Sequence, residues 1–71
     1  MPKPQKYRDV VRFLRAQGWV LLRQAKGSHE IWSDPATGAK LSLPVHGEIS
    51  AGIIKQIIRE VPGTPTSWRS R

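Results

Sequence analysis

Residues 19–43 decide the arrangement of this chain; they read WVLLRQAKGSHEIWSDPATGAKLSL. Three apolar-rich segments of strand length lie in this stretch, at residues 19–24, 29–33 and 40–43. The first connection, 25–28, contains glycine and serine, and the second, 34–38, contains Asp, Pro, Thr and Gly, which are common turn residues. Because connections this short join antiparallel neighbours, the stretch predicts a three-stranded antiparallel meander.

Amphipathic helices are predicted on both sides of the meander. Before it, in residues 6–17, apolar side chains recur at the spacing of a helix with one buried face: Tyr7, Val10, Val11, Phe13 and Leu14. After it, Ser50 is a good N-cap for a second helix. The apolar stripe of that helix consists of Ile53, Ile54, Ile57, Ile58 and Val61. The predicted fold class is therefore α+β, in the order α-β-β-β-α, with both helices on one face of the sheet and the other face free for a ligand.

The charge of the chain favours a polyanionic partner. Twelve Lys and Arg residues against five Asp and Glu leave a formal net charge of +7. The excess is concentrated in the first 26 residues, where Asp9 is the only acidic residue. A field of this sign attracts nucleic acid first, with an acidic protein or a membrane surface as weaker alternatives.

Length and composition exclude several classes of protein. A chain of 71 residues forms one small domain and has no room for a separate cofactor domain. It contains no cysteine, so disulfides and thiolate metal sites are excluded. The N-terminal residues lack the apolar stretch of a secretory signal, and no run reaches transmembrane length. We therefore expect a cytoplasmic protein with no membrane association and no cofactor.

His29 is the first candidate for chemistry, since an imidazole has an ordinary pKa of about 6.5 and transfers protons near neutral pH. It follows Lys26, Gly27 and Ser28. Glycine lets the backbone approach a phosphate, serine and free N–H groups can hold its oxygens, and lysine adds a positive charge. RNA supplies its own nucleophile, the 2′-hydroxyl, so such a site needs no metal. By composition alone, however, this triplet is more often an ordinary turn.

Other residues also allow two interpretations. His46 is either a second proton-transfer group or helix cap, or an exposed loop residue, and its surroundings in sequence favour the exposed loop residue. A metal site built from the two histidines with Glu30 and Asp34 lacks a recognised ligand spacing. Trp19 and Trp32 could stack on bases, but aromatic residues in strands usually belong to the core.

The order of these features resembles the HicA toxin family, also called YcfA-like, from about residue 1 to residue 61. The basic first helix leads into the segment Gly18-Trp19-Val20-Leu21. The segments that follow are Arg23-Gln24-Ala25-Lys26-Gly27-Ser28-His29, an aromatic residue at Trp32, and Leu43-Pro44-Val45-His46 before the Ile-rich helix. The most specific part is Arg-Gln-x-Lys-Gly-Ser-His combined with the Pro-x-His loop.

The resemblance implies a fold like the double-stranded-RNA-binding domain and ribosome-independent cleavage of mRNA, with His29 as the catalytic residue. It also implies a HicB-type antitoxin that masks the site. We expect a toxin domain over residues 1–61 and a flexible basic tail over residues 62–71, in which Trp68 is unexpected. The candidate RNA-binding residues are Arg8, Arg12, Arg23, Lys26, Gly27 and Ser28. Two alternatives stay open: an RNA-binding module of the same fold that does not cleave, and one half of a regulatory assembly.

Overall fold

Two helices and a three-stranded antiparallel sheet form the body of the domain in a computed structural model, which describes residues 2–69. In chain order the elements are β1 (Gln5–Lys6), α1 (Tyr7–Ala16), β2 (Val20–Gln24), β3 (His29–Ser33), β4 (Lys40–Pro44), β5 (Glu48–Ile49), α2 (Ala51–Glu60) and a one-turn 3₁₀ helix (Thr66–Trp68). The sheet has the strand order β2-β3-β4, and a second sheet pairs β1 with β5. The predicted α+β class and meander are confirmed, whereas the two short strands of the second sheet were not predicted.

The helix ends follow from local sequence. Gly18 takes a positive φ of 93° directly after α1. Its N–H donates to the carbonyl of Arg15 at 3.0 Å, and the Trp19 N–H donates to that of Leu14 at 2.9 Å, which is the Schellman arrangement. At the start of α2, the Ser50 hydroxyl accepts from the Ile53 N–H at 3.4 Å, as expected of an N-cap. The turn at Gly18 directs the chain from α1 into the sheet.

The register of the sheet assigns a core face and an open face. Glu30 pairs with Leu43, and Trp32 pairs with Leu41, so these four side chains share one face. They are buried, and the buried residues of both helices belong to the same core cluster. Trp19 and Trp32 are only 4% and 1% exposed, so both are core residues and not base-stacking surfaces.

A buried carboxylate links α1 to the sheet. The Tyr7 hydroxyl donates to Glu30 Oε1 at 2.6 Å, and the Trp32 indole N–H donates to the same oxygen at 3.1 Å. The Arg15 guanidinium lies 5.0 Å from the Trp32 ring centroid. Burial and then the Glu30 carboxylate raise the pKa of Tyr7 to about 12, against a smaller opposite effect of Arg15. Because the Glu30 side chain lies on the core face, it points away from the side chain of its neighbour His29.

Residues after α2 pack against the domain. Trp68 is 5% exposed, its ring contacts that of Phe13 edge to face at 5.3 Å between centroids, and its carbonyl accepts from the Lys3 N–H at 2.9 Å. Thr64 is also buried. The sequence predicts a flexible tail here, but residues 64–68 are held against the domain. One large aromatic ring can anchor a segment that shows no periodic pattern. Residue 1 of the predicted domain and residues 70–71 of the predicted tail lie outside the described residues.

Candidate active site

Two loops meet at the end of the sheet where β3 begins. His29, the first residue of β3, pairs with Pro44, the last residue of β4. The Ala25 N–H donates to the His29 carbonyl at 2.9 Å, and the Val45 N–H donates to the Ser28 carbonyl at 2.7 Å. These backbone bonds hold the loop after β4 against the turn that precedes β3.

An open cavity of about 200 Å³ lies between the two loops. Its lining residues are Gln24, Gly27, Ser28, His29, Val45 and His46. The volume is below the roughly 300–1,000 Å³ of sites that enclose a whole small molecule. A cavity this small and open fits one group of a larger ligand, such as a phosphate of a polymer. Both imidazoles are exposed and can therefore reach such a group.

Gly27 gives the turn its shape. Its φ of +67° lies in the left-handed region, which side chains other than glycine and asparagine adopt at a cost of about 1–2 kcal/mol. Outside Gly27 and its two chain neighbours, no heavy atom of residues 2–69 lies within 4 Å of the position that a Cβ would take. The space beside this residue is therefore open, so a ligand can approach the backbone directly. Gly47, which follows His46, has a similar φ of +73°.

The structure brings together only part of the predicted site. Gly27, Ser28 and His29 line the cavity. Lys26 is exposed in the same turn but does not line the cavity. Arg23 is exposed on β2 and pairs with Ile31, on the open face of the sheet.

The arginines of α1 lie elsewhere on the domain. Arg8 is exposed, and Arg12 lines a separate groove of about 510 Å³ between α1 and the C-terminal segment, together with Phe13 and Trp68. Neither arginine lines the cavity that contains His29. If they bind RNA, they contact a different part of the polymer.

The considered metal ligands are not gathered. Glu30 lies on the core face, and the Asp34 carboxylate accepts from the Ala36 N–H at 3.0 Å and from the Thr37 hydroxyl at 3.2 Å. Within residues 2–69 no three His, Cys, Asp or Glu side chains are grouped as metal ligands. Over the same range, no helix is long and apolar enough to cross a membrane.

Sequence reasoning missed part of the cavity wall. Gln24 and Val45 carry no chemical signal in the sequence, and the residues around His46 favour an exposed loop residue. His46 is exposed, but it also lines the cavity that contains His29. The signal that could have placed it is the pairing of the β4 end with the β3 start, because this pairing puts the following loop beside His29.

Fold and site together define a small basic α+β domain with an open, histidine-lined cavity at one end of its sheet. Residues 7–61 match the model of a family described as HicA toxin of bacterial toxin–antitoxin. This match spans most of the chain, which therefore belongs to the HicA toxin family. The matched residues run from the first residue of α1 to the C-cap of α2. No curated protein and no solved structure matched the chain.

Proposed function

We propose that this chain is the toxin of a type II toxin–antitoxin pair and cleaves mRNA, with His29 as a proton-transfer catalyst and without a metal or other cofactor. The observation that carries the proposal is the position of His29. Its imidazole shares an open cavity with Gly27 and Ser28, whose backbone and hydroxyl can contact a phosphate. Membership of a toxin family supports this function.

The proposed reaction uses the nucleophile that RNA already contains. The 2′-hydroxyl loses its proton to a general base, its oxygen forms a bond to the adjacent phosphorus, and the bond from phosphorus to the 5′-oxygen breaks. The departing 5′-oxygen takes a proton from a general acid. The products are a 2′,3′-cyclic phosphate and a 5′-hydroxyl. His29 supplies one of these two proton transfers.

Cationic side chains around the cavity would bind the rest of the RNA chain. Lys26 lies in the turn that forms the cavity wall, and Arg23 lies on the adjoining strand. Arg8 and Arg12 would contact more distant phosphates, because α1 is not part of the cavity. Binding by these residues predicts an affinity for RNA that falls steeply with salt.

A HicB-type antitoxin would inhibit the toxin in the cytoplasm by covering this site. The net charge of +7 favours an acidic partner. β2 is an edge strand, and its large apolar side chains Val20, Leu21 and Leu22 are 41–49% exposed. Such an edge can accept a strand from a partner. Since β2 ends at Gln24, a partner on this edge would lie beside the cavity.

The partner proposal is tested with the product of the neighbouring gene. We expect that protein to abolish RNA cleavage and to form a complex that Leu22→Asp weakens. Lys55→Ala, on the exposed surface of α2, is the matched control and should leave the complex intact. If the partner protein binds the Leu22→Asp variant with unchanged affinity and inhibits it fully, docking on β2 is contradicted.

The catalytic proposal is tested by incubating the purified chain with a defined RNA, with and without EDTA. We expect cleavage in both conditions and products with 2′,3′-cyclic phosphate ends. His29→Ala should lower the rate by about 100-fold or more, since general acid–base catalysis contributes at least this factor. Lys55→Ala should cleave like wild type. Products with 5′-phosphate ends, or equal cleavage by His29→Ala, would contradict the assigned chemistry.

The alternative function is an RNA-binding module that does not cleave. The charge of +7 also favours it. Salt-sensitive binding of RNA by wild type, with no cleavage in either magnesium or EDTA, would support this alternative. If the chain has no effect on RNA but regulates transcription together with its partner, the regulatory interpretation is correct.

A further inference from the structure

We infer that His46 is a second catalytic residue and forms an acid–base pair with His29 across the cavity. This inference rests on the proposed cleavage of RNA and assigns the second proton transfer in that reaction. Both histidines line the same cavity of about 200 Å³, although they are distant from each other in the sequence.

The backbone holds the two histidine-bearing segments together. His29 pairs with Pro44 across the β3–β4 ladder, and the Val45 N–H donates to the Ser28 carbonyl at 2.7 Å. His46 is the next residue after this bond. Its backbone position is therefore set by a contact with the turn that precedes His29.

Besides an exposed loop residue without a function, the sequence allows His46 a role in capping α2. That role is taken by Ser50, whose hydroxyl accepts from the Ile53 N–H. No cap of α2 therefore needs the imidazole of His46. Its exposed ring lies on the cavity wall, where it can transfer a proton to or from a bound ligand.

The charged surroundings of the pair are simple. Among the lining residues only the two histidines carry a side chain suited to acid–base catalysis; the others are Gln24, Gly27, Ser28 and Val45. Of the charged residues on these segments, Lys26 lies in the turn before β3, Arg23 on the open face of β2 and Glu48 at the start of β5, whereas Glu30 lies on the core face of β3. The pH dependence of cleavage is therefore expected to come from the two imidazoles.

The pair completes the proton balance of the reaction. One imidazole, neutral at the start, takes the proton of the 2′-hydroxyl while that oxygen bonds to phosphorus. The other, protonated at the start, gives its proton to the 5′-oxygen as the bond between phosphorus and that oxygen breaks. The pair thus exchanges its protonation states in each turnover, and a bell-shaped dependence of kcat/KM on pH follows.

The first experiment measures kcat/KM against pH for wild type, His29→Ala and His46→Ala. We expect a bell for wild type, a loss of about 100-fold or more in each variant, and one missing limb in each profile. Glu48→Gln, two residues after His46 at the start of β5 and outside the cavity, is the matched control and should keep the bell-shaped profile. Far-ultraviolet circular dichroism verifies that each variant is folded.

Free imidazole and a modified RNA separate chemistry from structure. Added imidazole should restore part of the activity of His46→Ala but not that of an unfolded variant. An RNA whose scissile 5′-oxygen is replaced by sulfur needs no proton on its leaving group. We expect it to restore activity to one histidine variant and not to the other. A wild-type rate and profile in His46→Ala would overturn the pair.

A binding readout separates failure of the pair from failure of the proposed function. In NMR spectra of wild type, uridine 3′-monophosphate should shift the imidazole signals of both histidines with one common Kd. A shift confined to His29 overturns the pair even if RNA is cleaved. Absence of RNA cleavage by wild type overturns the proposed function and, with it, the catalytic role of both histidines.

Discussion

Replacement of Trp68 by alanine tests whether the C-terminal segment is part of the domain. A buried tryptophan removes about 150–250 Å² from water, which at about 25 cal/mol per Å² corresponds to roughly 4–6 kcal/mol. This figure is an upper bound, since unfolded chains already bury part of their surface. The Trp68 side chain lines the open groove beside α1, so its removal widens that groove and leaves no closed cavity. We therefore expect Trp68→Ala to lower the free energy of unfolding by about 3 kcal/mol, the lower end for buried aromatic residues.

The assay is urea unfolding followed by far-ultraviolet circular dichroism, because loss of a tryptophan would change the fluorescence signal itself. For a domain of this size, about 3 kcal/mol corresponds to a fall in Tm of roughly 12–24 °C. Trp68→Phe should lose less, since it keeps a ring against Phe13. Ser67→Ala, at the exposed neighbouring position, is the matched control and should change stability little. A loss below about 1 kcal/mol in Trp68→Ala, typical of exposed positions, would refute the packed segment.

Three further changes test the remaining structure. Tyr7→Phe removes a hydrogen bond to the buried Glu30 carboxylate and should cost about 2 kcal/mol in chemical unfolding, whereas an unchanged midpoint would contradict that bond. The pKa of Tyr7 is about 12 in the folded chain against 10.0 ordinarily. The neutral Tyr7 hydroxyl therefore stabilises the folded state fully below pH 10, and this contribution is lost as pH rises toward 12. Ultraviolet titration of this sole tyrosine should show the raised pKa, and the decline in stability between those pH values should be smaller in Tyr7→Phe. Thr64→Val removes a buried hydroxyl without a partner in residues 2–69 and should leave stability unchanged or raise it by up to about 1 kcal/mol; a clear loss would indicate a partner for that hydroxyl. Gly27→Val forces a branched side chain to φ +67° and should cost about 1–2 kcal/mol, whereas Gly27→Asn should cost less when the two are compared by thermal unfolding.

The main elements could be predicted because their signals are local. The apolar spacing before Gly18 is enough to identify α1, and Ser50 marks the start of α2 to the residue. The second sheet could not be predicted, since β1 and β5 have two residues each and no periodicity can be detected over that length. The packing of Trp68 could not be predicted for a related reason, because a single aromatic residue among polar neighbours shows no pattern.

The candidate site divides in the same way. His29 could be singled out from the residues beside it and from the resemblance to a toxin family that the chain proved to belong to. The remaining cavity wall depends on which strands pair. His46 lies on a separate loop and meets His29 only through the register of β3 with β4.

The sequence by itself determined the positive charge, the helices, the meander and the family, because these depend on composition and on neighbours within a few positions. Only the tertiary structure decided which sheet face is buried, that Glu30 points away from the site, and that His46 joins His29. The physical reason is that alternation along a strand defines two faces but does not say which one the helices cover. That choice, and the meeting of distant loops, depends on burial of the whole core.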